Sequence, residues 1–225
     1  MKLNDTFNLI PNKESRNRIV LAPMDIQAAT DGFVNDMHIQ HYGARAYGGV
    51  GTIIVEGTAI TSDGRYREKS LGIWKDEHIE GLKRIVNISH CGGSVVGIQL
   101  FHGGSKSQLE EGIRSINTYF DFLDQSNLKI IDLKELYEIA DEFIRAAKRA
   151  QEAGFDFIEV HIGDGTLLSN LLIKELNTLI KEDDMAKRIE PIIYILKNIK
   201  ENIGIPTGIR LSVNDDNPDG IKVED

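Results

Sequence analysis

Apolar residues fall along this chain in two alternating patterns. The first is a short continuous run, seen in RIVLAPM (18–24), VGTIIVEG (50–57), SVVGIQLF (94–101), FDFIEVHI (155–162) and IPTGIRLSV (205–213). Runs of this length, rich in β-branched residues, predict strands buried on both faces, as in parallel sheets. The second pattern is helical. Its clearest case is 132–154, where Leu133, Leu136, Ile139, Ala140, Phe143 and Ala147 recur at helical spacing between an N-cap at Asp132 and a stop at Gly154. Residues 35–49, 76–93 and 184–204 read the same way, the last kinked or restarted at Pro191.

Strands alternating with helices predict repeated βαβ units, arranged either as a doubly wound open sheet or as a (β/α)8 barrel. A dinucleotide-binding sheet should show G-x-G-x-x-G after its first strand. DIQAATDG follows here, and no Walker motif occurs. The expected architecture is therefore a TIM (β/α)8 barrel, of which about the first five βα units are present. The long connections 58–75 and 102–131 follow strand ends, which puts them on the face where barrel active sites form. No internal boundary is visible, so 1–225 reads as a single domain.

Composition narrows the partners. A net charge of −9 and the lack of a basic cluster with interleaved aromatics argue against nucleic acid. No apolar run approaches the roughly 20 residues a membrane helix needs, and the N-terminus has no signal-peptide core. A single cysteine, Cys91, excludes an internal disulfide and suits the cytoplasm; its place near a helix end suggests a buried thiol. A small-molecule substrate is the expected partner, and self-association into a homo-oligomer stays open.

The polar residues at or just beyond the strand ends are Asp25 and Gln27, Glu56, Gln99 and His102, His161 and Asp164, and Arg210 and Ser212. Buried unpaired polar groups cost on the order of 1–3 kcal/mol, so these residues need partners, either each other or a ligand. His161 and Asp164 alone suit an acid–base pair, a ligand-binding imidazole, or a metal site helped by Asp25 and Glu56; Asp164 also suits an N-cap for the next helix. His38 and His41 read as surface or packing residues of the first helix, and His78 and His90 flank the second, away from the barrel mouth.

NRIVLAPM at 17–24, HYGARAYGGVGTIIVEGTAI at 41–60, LGIWKDEHIEGLK at 71–83, GIQLFHGG at 97–104, AGFDFIEVHIGDGTLLSNLL at 153–172 and GIRLSV at 208–213 occur in the order and spacing of the old yellow enzyme family. The resemblance implies an FMN-dependent oxidoreductase that takes hydride from NAD(P)H and passes it to an unsaturated carbonyl-type acceptor. It implies that Ala22, Pro23 and Met24 run along the flavin, that Gly57 admits the ring edge, and that Gln99 and Arg210 bind the pyrimidine end. His161 would bind the acceptor oxygen. Asp164 stands where the family has a second His or Asn, Thr166 where many members have a proton-donating Tyr, and Asp25 where a Thr or Cys meets the flavin; His161, Asp164 and Asp25 are the catalytic candidates. No metal is expected on this reading.

Family members continue through three more strands, whose last loops hold the FMN phosphate, whereas this sequence ends at NPDGIKVED. Five strands cannot close an eight-stranded barrel, so weak FMN retention is the expectation. The other readings are a degenerate, non-catalytic relative and a metal-dependent barrel lyase or isomerase.

Overall fold

The computed structural model describes residues 2–110, 112–118, 128–181 and 184–213; the terminal NPDGIKVED stretch lies outside them. A short antiparallel hairpin opens the chain, β1 (Phe7–Ile10) against β2 (Lys13–Ser15). After it come β3 (Val20–Leu21), α1 (Asp36–Tyr47), β4 (Thr52–Ala59), β5 (Leu71–Gly72), α2 (His78–Cys91) and β6 (Val95–Phe101). A small parallel pair, β7 (Ile113–Ser115) and β8 (Leu128–Ile130), precedes α3 (Leu133–Ala153) and β9 (Phe157–Ile162). The chain then forms α4 (Leu167–Leu172), α5 (Met185–Arg188), α6 (Glu190–Asn198) and β10 (Thr207–Leu211).

The main sheet runs β3-β4-β6-β9-β10, every neighbouring pair parallel, with β5 attached to the end of β4. Each strand lies beside the next in sequence. A doubly wound sheet would reverse order at a switch point; this one does not, and it curls as the first five units of a (β/α)8 barrel.

The predicted helices form where their caps require. Asn35 and His38 make a capping box at the start of α1, and Asp132 and Glu135 make another at the start of α3. Gly154 ends α3 in the left-handed region, at φ 91°. Pro191 lies in the first turn of α6, where its missing N–H costs nothing, so the predicted restart comes at Glu190. The first strand was expected over 18–24, but only Val20–Leu21 joins the ladder. Cys91 is exposed, not buried: it is the last residue of α2, past the face that packs Leu82, Ile85 and Val86.

Strand alternation sorts the core. Ile53, Val55, Val96, Ile98, Leu100, Ile158, Val160 and Ile162 share one cluster with the apolar faces of α1, α2 and α3. On the other face Ile54, Val95 and Phe157 cluster with Ile10 from the hairpin. Above them on that face, Gln99 pairs with Glu159 and Arg210 with His161 along the ladders. Polar side chains therefore take over on this face toward the strand C-termini.

Candidate active site

Those C-termini enclose a cavity of about 280 Å³, lined by Pro23, Asp25, Gln27, Gly57, Tyr66, Arg67, Gln99, Phe101, Lys106, His161, Asp164 and Thr166. Six of the nine residues expected at a site are among them: Pro23, Asp25, Gly57, Gln99, His161 and Asp164. Ala22, Met24 and Arg210 are not. The Met24 side chain is 63% exposed. Arg210 sits on β10 in register with His161 and acts on it electrostatically from outside the cavity wall.

The wall is ordered by hydrogen bonds between strand ends. Gln99 Nε2 donates to Glu159 Oε1 at 2.8 Å and lies 3.5 Å from His161 Nδ1. The Asp25 carboxylate accepts from the Gln27 amide at 3.0 Å and from the Gln27 side chain, with Gln27 itself at φ 53°. His161 is nearly buried, and burial pulls its imidazole below the ordinary value, against the upward pull of Asp164. Its Nε2 is 3.4 Å from Asp164 Oδ2. An imidazole held neutral this way can donate one hydrogen bond to a ligand oxygen and accept another.

Thr166, not Asp164, is the N-cap of α4. Asp164 falls two residues earlier at φ 58°, followed by Gly165 at φ 73°, and its N–H donates to Ser212 Oγ at 3.0 Å. The Thr166 hydroxyl donates to Gly163 O at 2.8 Å, so its proton is already committed to the backbone.

Both long connections reach the cavity. The first supplies Tyr66 and Arg67, and the second supplies Lys106. They are joined by the Arg114–Asp63 fork, with contacts of 2.5 and 3.0 Å, by Arg67 Nε to Gln108 Oε1 at 2.9 Å, and by the Lys106 ammonium 5.5 Å from the Tyr66 ring centre. Lys106 also donates to the carbonyl of Asp164. Among the described residues, no group of three or more His, Cys, Asp or Glu side chains is arranged to hold a metal ion.

Behind the cavity, Glu56 is fully buried next to Gly57. Its Oε1 accepts from the Tyr42 hydroxyl at 2.9 Å, and that hydroxyl accepts from the Glu56 amide at 2.9 Å. The register between β4 and β6 shifts between Val55 and Thr58, a bulge that spans Glu56 and Gly57. Burial pushes the Glu56 carboxyl up to about 8, and its hydrogen-bonded neighbour Asp25 adds to the rise. Strand-end reading found Glu56 but not its partner, because Tyr42 faces it from a helix fourteen residues away. Tyr66, Arg67 and Lys106 lie on irregular loops with no periodic signal.

Residues 9–225 match the pattern of the NADH:flavin oxidoreductase / NADH oxidase family. The chain belongs to that family. The NADPH dehydrogenase of Listeria monocytogenes serotype 4a is 37% identical over 218 residues, covering 93% of this chain and 63% of the relative. That of Bacillus cytotoxicus is 35% identical over 224 residues, covering 96% and 64%. The chain thus spans somewhat under two thirds of the length of these family members. Its fold is shared by morphinone reductase (TM-score 0.83, 24% identity, 93% of this chain and 61% of that one). It is shared too by the old yellow enzyme homologue from Zymomonas mobilis (TM-score 0.84, 24% identity, 99% and 66%). The expected family and barrel architecture are both borne out. No helix among the described residues is long and apolar enough to cross a membrane.

Proposed function

We propose that this chain carries the flavin- and substrate-binding face of an FMN-dependent oxidoreductase that uses NAD(P)H and reduces an unsaturated carbonyl-type acceptor. The observation that carries this reading is the convergence of Pro23, Asp25, Gly57, Gln99 and His161, from four strand ends, on one cavity in a member of a flavin oxidoreductase family.

The residues present suit the ring of FMN. A Cβ at Gly57 would come within 3.3 Å of Gln99 Oε1 and Phe101 Cδ1, so a side chain there would crowd the wall that the ring must approach. Gln99 offers a planar amide of the kind that pairs with a pyrimidine edge, Lys106 adds a cation, and Pro23 and Phe101 supply apolar contact. When bound, FMN would supply the hydride-transfer chemistry. His161 would hold the acceptor oxygen by a hydrogen bond, with its ring oriented by Gln99 on one side and Asp164 on the other. Asp25 at the wall and Asp164 at the rim would handle the proton, since the Thr166 hydroxyl is spent on Gly163.

The test is an anaerobic titration of the chain with FMN, followed by NADH or NADPH. Saturable binding with a perturbed flavin spectrum, then bleaching by one of the nucleotides, is the expected result. A chain that leaves FMN unperturbed, or binds it without bleaching, overturns the reading.

A further inference from the structure

We propose that Glu56 is a buried proton store and that Asp25 relays its proton to a ligand in the cavity. The proposal rests on the reading above and assigns a residue behind the wall to the proton that must accompany hydride.

Among the described residues, Glu56 has no fixed cation beside it. The titratable groups facing it are Tyr42 and His38 on α1 and Asp25 on the segment after β3. The Tyr42 hydroxyl donates to Oε1, and the Ile26 amide donates to Oε2 at 3.1 Å. His38 Nε2 lies 4.0 Å from Oε1, beyond hydrogen-bond range, with no partner of its own. His38 Nδ1 lies 3.1 Å from the Asn35 amide nitrogen and 3.0 Å from Asn35 Oδ1, and burial holds the imidazole below its ordinary value. The remaining neighbour is the Asp25 carboxyl, within hydrogen-bonding reach. Two carboxyl oxygens can meet there without an intervening cation only if a proton lies between them.

Position turns this pair into a relay. Asp25 lines the cavity, whereas Glu56, the residue before Gly57 of the cavity wall, is sealed from solvent. In the relay, the Glu56 O–H bond breaks as an Asp25 O–H forms. Asp25 then gives its proton to an anionic oxygen or carbon of the bound ligand, and water at the cavity mouth reprotonates the pair. Proton count and charge balance without a further reactant.

Carbon-13 NMR of side-chain carboxyls, recorded on the chain without flavin from about pH 5 to about pH 9, tests the store directly. The expected result is one carboxyl that titrates near 8, is lost in E56Q and moves down by about one unit or more in D25N, where the neighbour becomes a hydrogen-bond donor. Asp25 is on the exposed wall, so D25N keeps the fold should E56Q not. A spectrum with every carboxyl titrating below about pH 6, or a high titration unmoved by D25N, overturns the proposal. FMN-loaded protein separates this from the reading it rests on: bleaching by nucleotide tests that reading, while loss of the alkaline limb of the turnover profile in E56Q reports on the relay.

Discussion

His161 Nε2 stands 3.4 Å from Asp164 Oδ2 across the turn that ends β9, with the His161 side chain 9% and the Asp164 side chain 66% exposed. The pair is unequal: burial lowers the imidazole more than the exposed carboxylate raises it. His161 should therefore titrate below 6.5 by proton NMR, and D164N should lower it further by removing its one upward influence. The stability consequence has a definite sign. A histidine depressed in the folded state leaves stability intact above the unfolded value and erodes it as pH falls through that value. A His161 titration at or above 6.5 would mean that burial does not govern the site.

Asp164 also shapes the turn. Its φ of 58° precedes Gly165 at 73°, so two consecutive residues are left-handed. Asp and Asn tolerate that region and β-branched residues do not. D164N should lie within about 0.5 kcal/mol of the parent and D164G close to it, while D164V should lose about 1–2 kcal/mol in urea denaturation. Equal losses in all three would assign the cost to the carboxylate.

Much of the architecture was legible because the central strands β4, β6 and β9, buried on both faces, appear as unbroken apolar runs, and α3 carries a cap, a stripe and a stop. The runs of β3 and β10 were expected to be buried too, but as the outer strands of the sheet they are largely exposed. The short hairpin β1–β2 and the pair β7–β8 were not, since strands of three or four residues carry too few positions to show a period. Within the site, residues on strand ends could be named in advance. Lys106, Tyr66 and Arg67 reach the cavity through loop–loop contacts between segments about forty residues apart, which no local pattern encodes. Arg210 was expected by resemblance at the pyrimidine end; it lies in register with His161 on β10 and does not line the cavity.

Asp156 ties the hairpin to the sheet. Its nearly buried carboxylate accepts from Lys13, from His90 Nε2 at 2.9 Å and from the Val96 amide at 2.8 Å. Burial acts upward on this carboxyl, but hydrogen bonds from His90, Lys13 and Val96 outweigh it and hold it below the ordinary range. A depressed carboxyl contributes stability above its unfolded value and loses it as pH falls through the folded one. D156N should cost about 1–3 kcal/mol at pH 7 and flatten the acid limb of the stability curve. An unchanged acid limb would place that dependence elsewhere.

Gly57 makes the wall thin. G57V would drive a branched side chain toward Gln99 and Phe101, whose atoms already lie 3.3 Å from an added Cβ. Flavin affinity should fall at least about tenfold, equivalent to about 1.4 kcal/mol, with circular dichroism unchanged. Undiminished FMN binding in a folded G57V protein would move the flavin off this wall.

Glu56 gives the opposite pH dependence from Asp156. Its folded value of about 8 lies above the ordinary 4.5. Below the lower value both states are protonated and the residue contributes no slope. Between the two, the unfolded chain releases a proton that the folded chain retains, so stability declines as pH rises and levels off above the upper value. The full decline is on the order of a few kcal/mol. E56Q keeps an acceptor for Tyr42 and should remove the slope, becoming the more stable protein at alkaline pH. Y42F does the reverse: it leaves Glu56 Oε1 and the Glu56 amide without the hydroxyl that now serves both, costing about 1–3 kcal/mol. Urea denaturation of the three proteins at about pH 5 and about pH 9 separates these effects. If E56Q and the parent keep a constant stability difference across that range, Glu56 does not hold its proton in the folded chain.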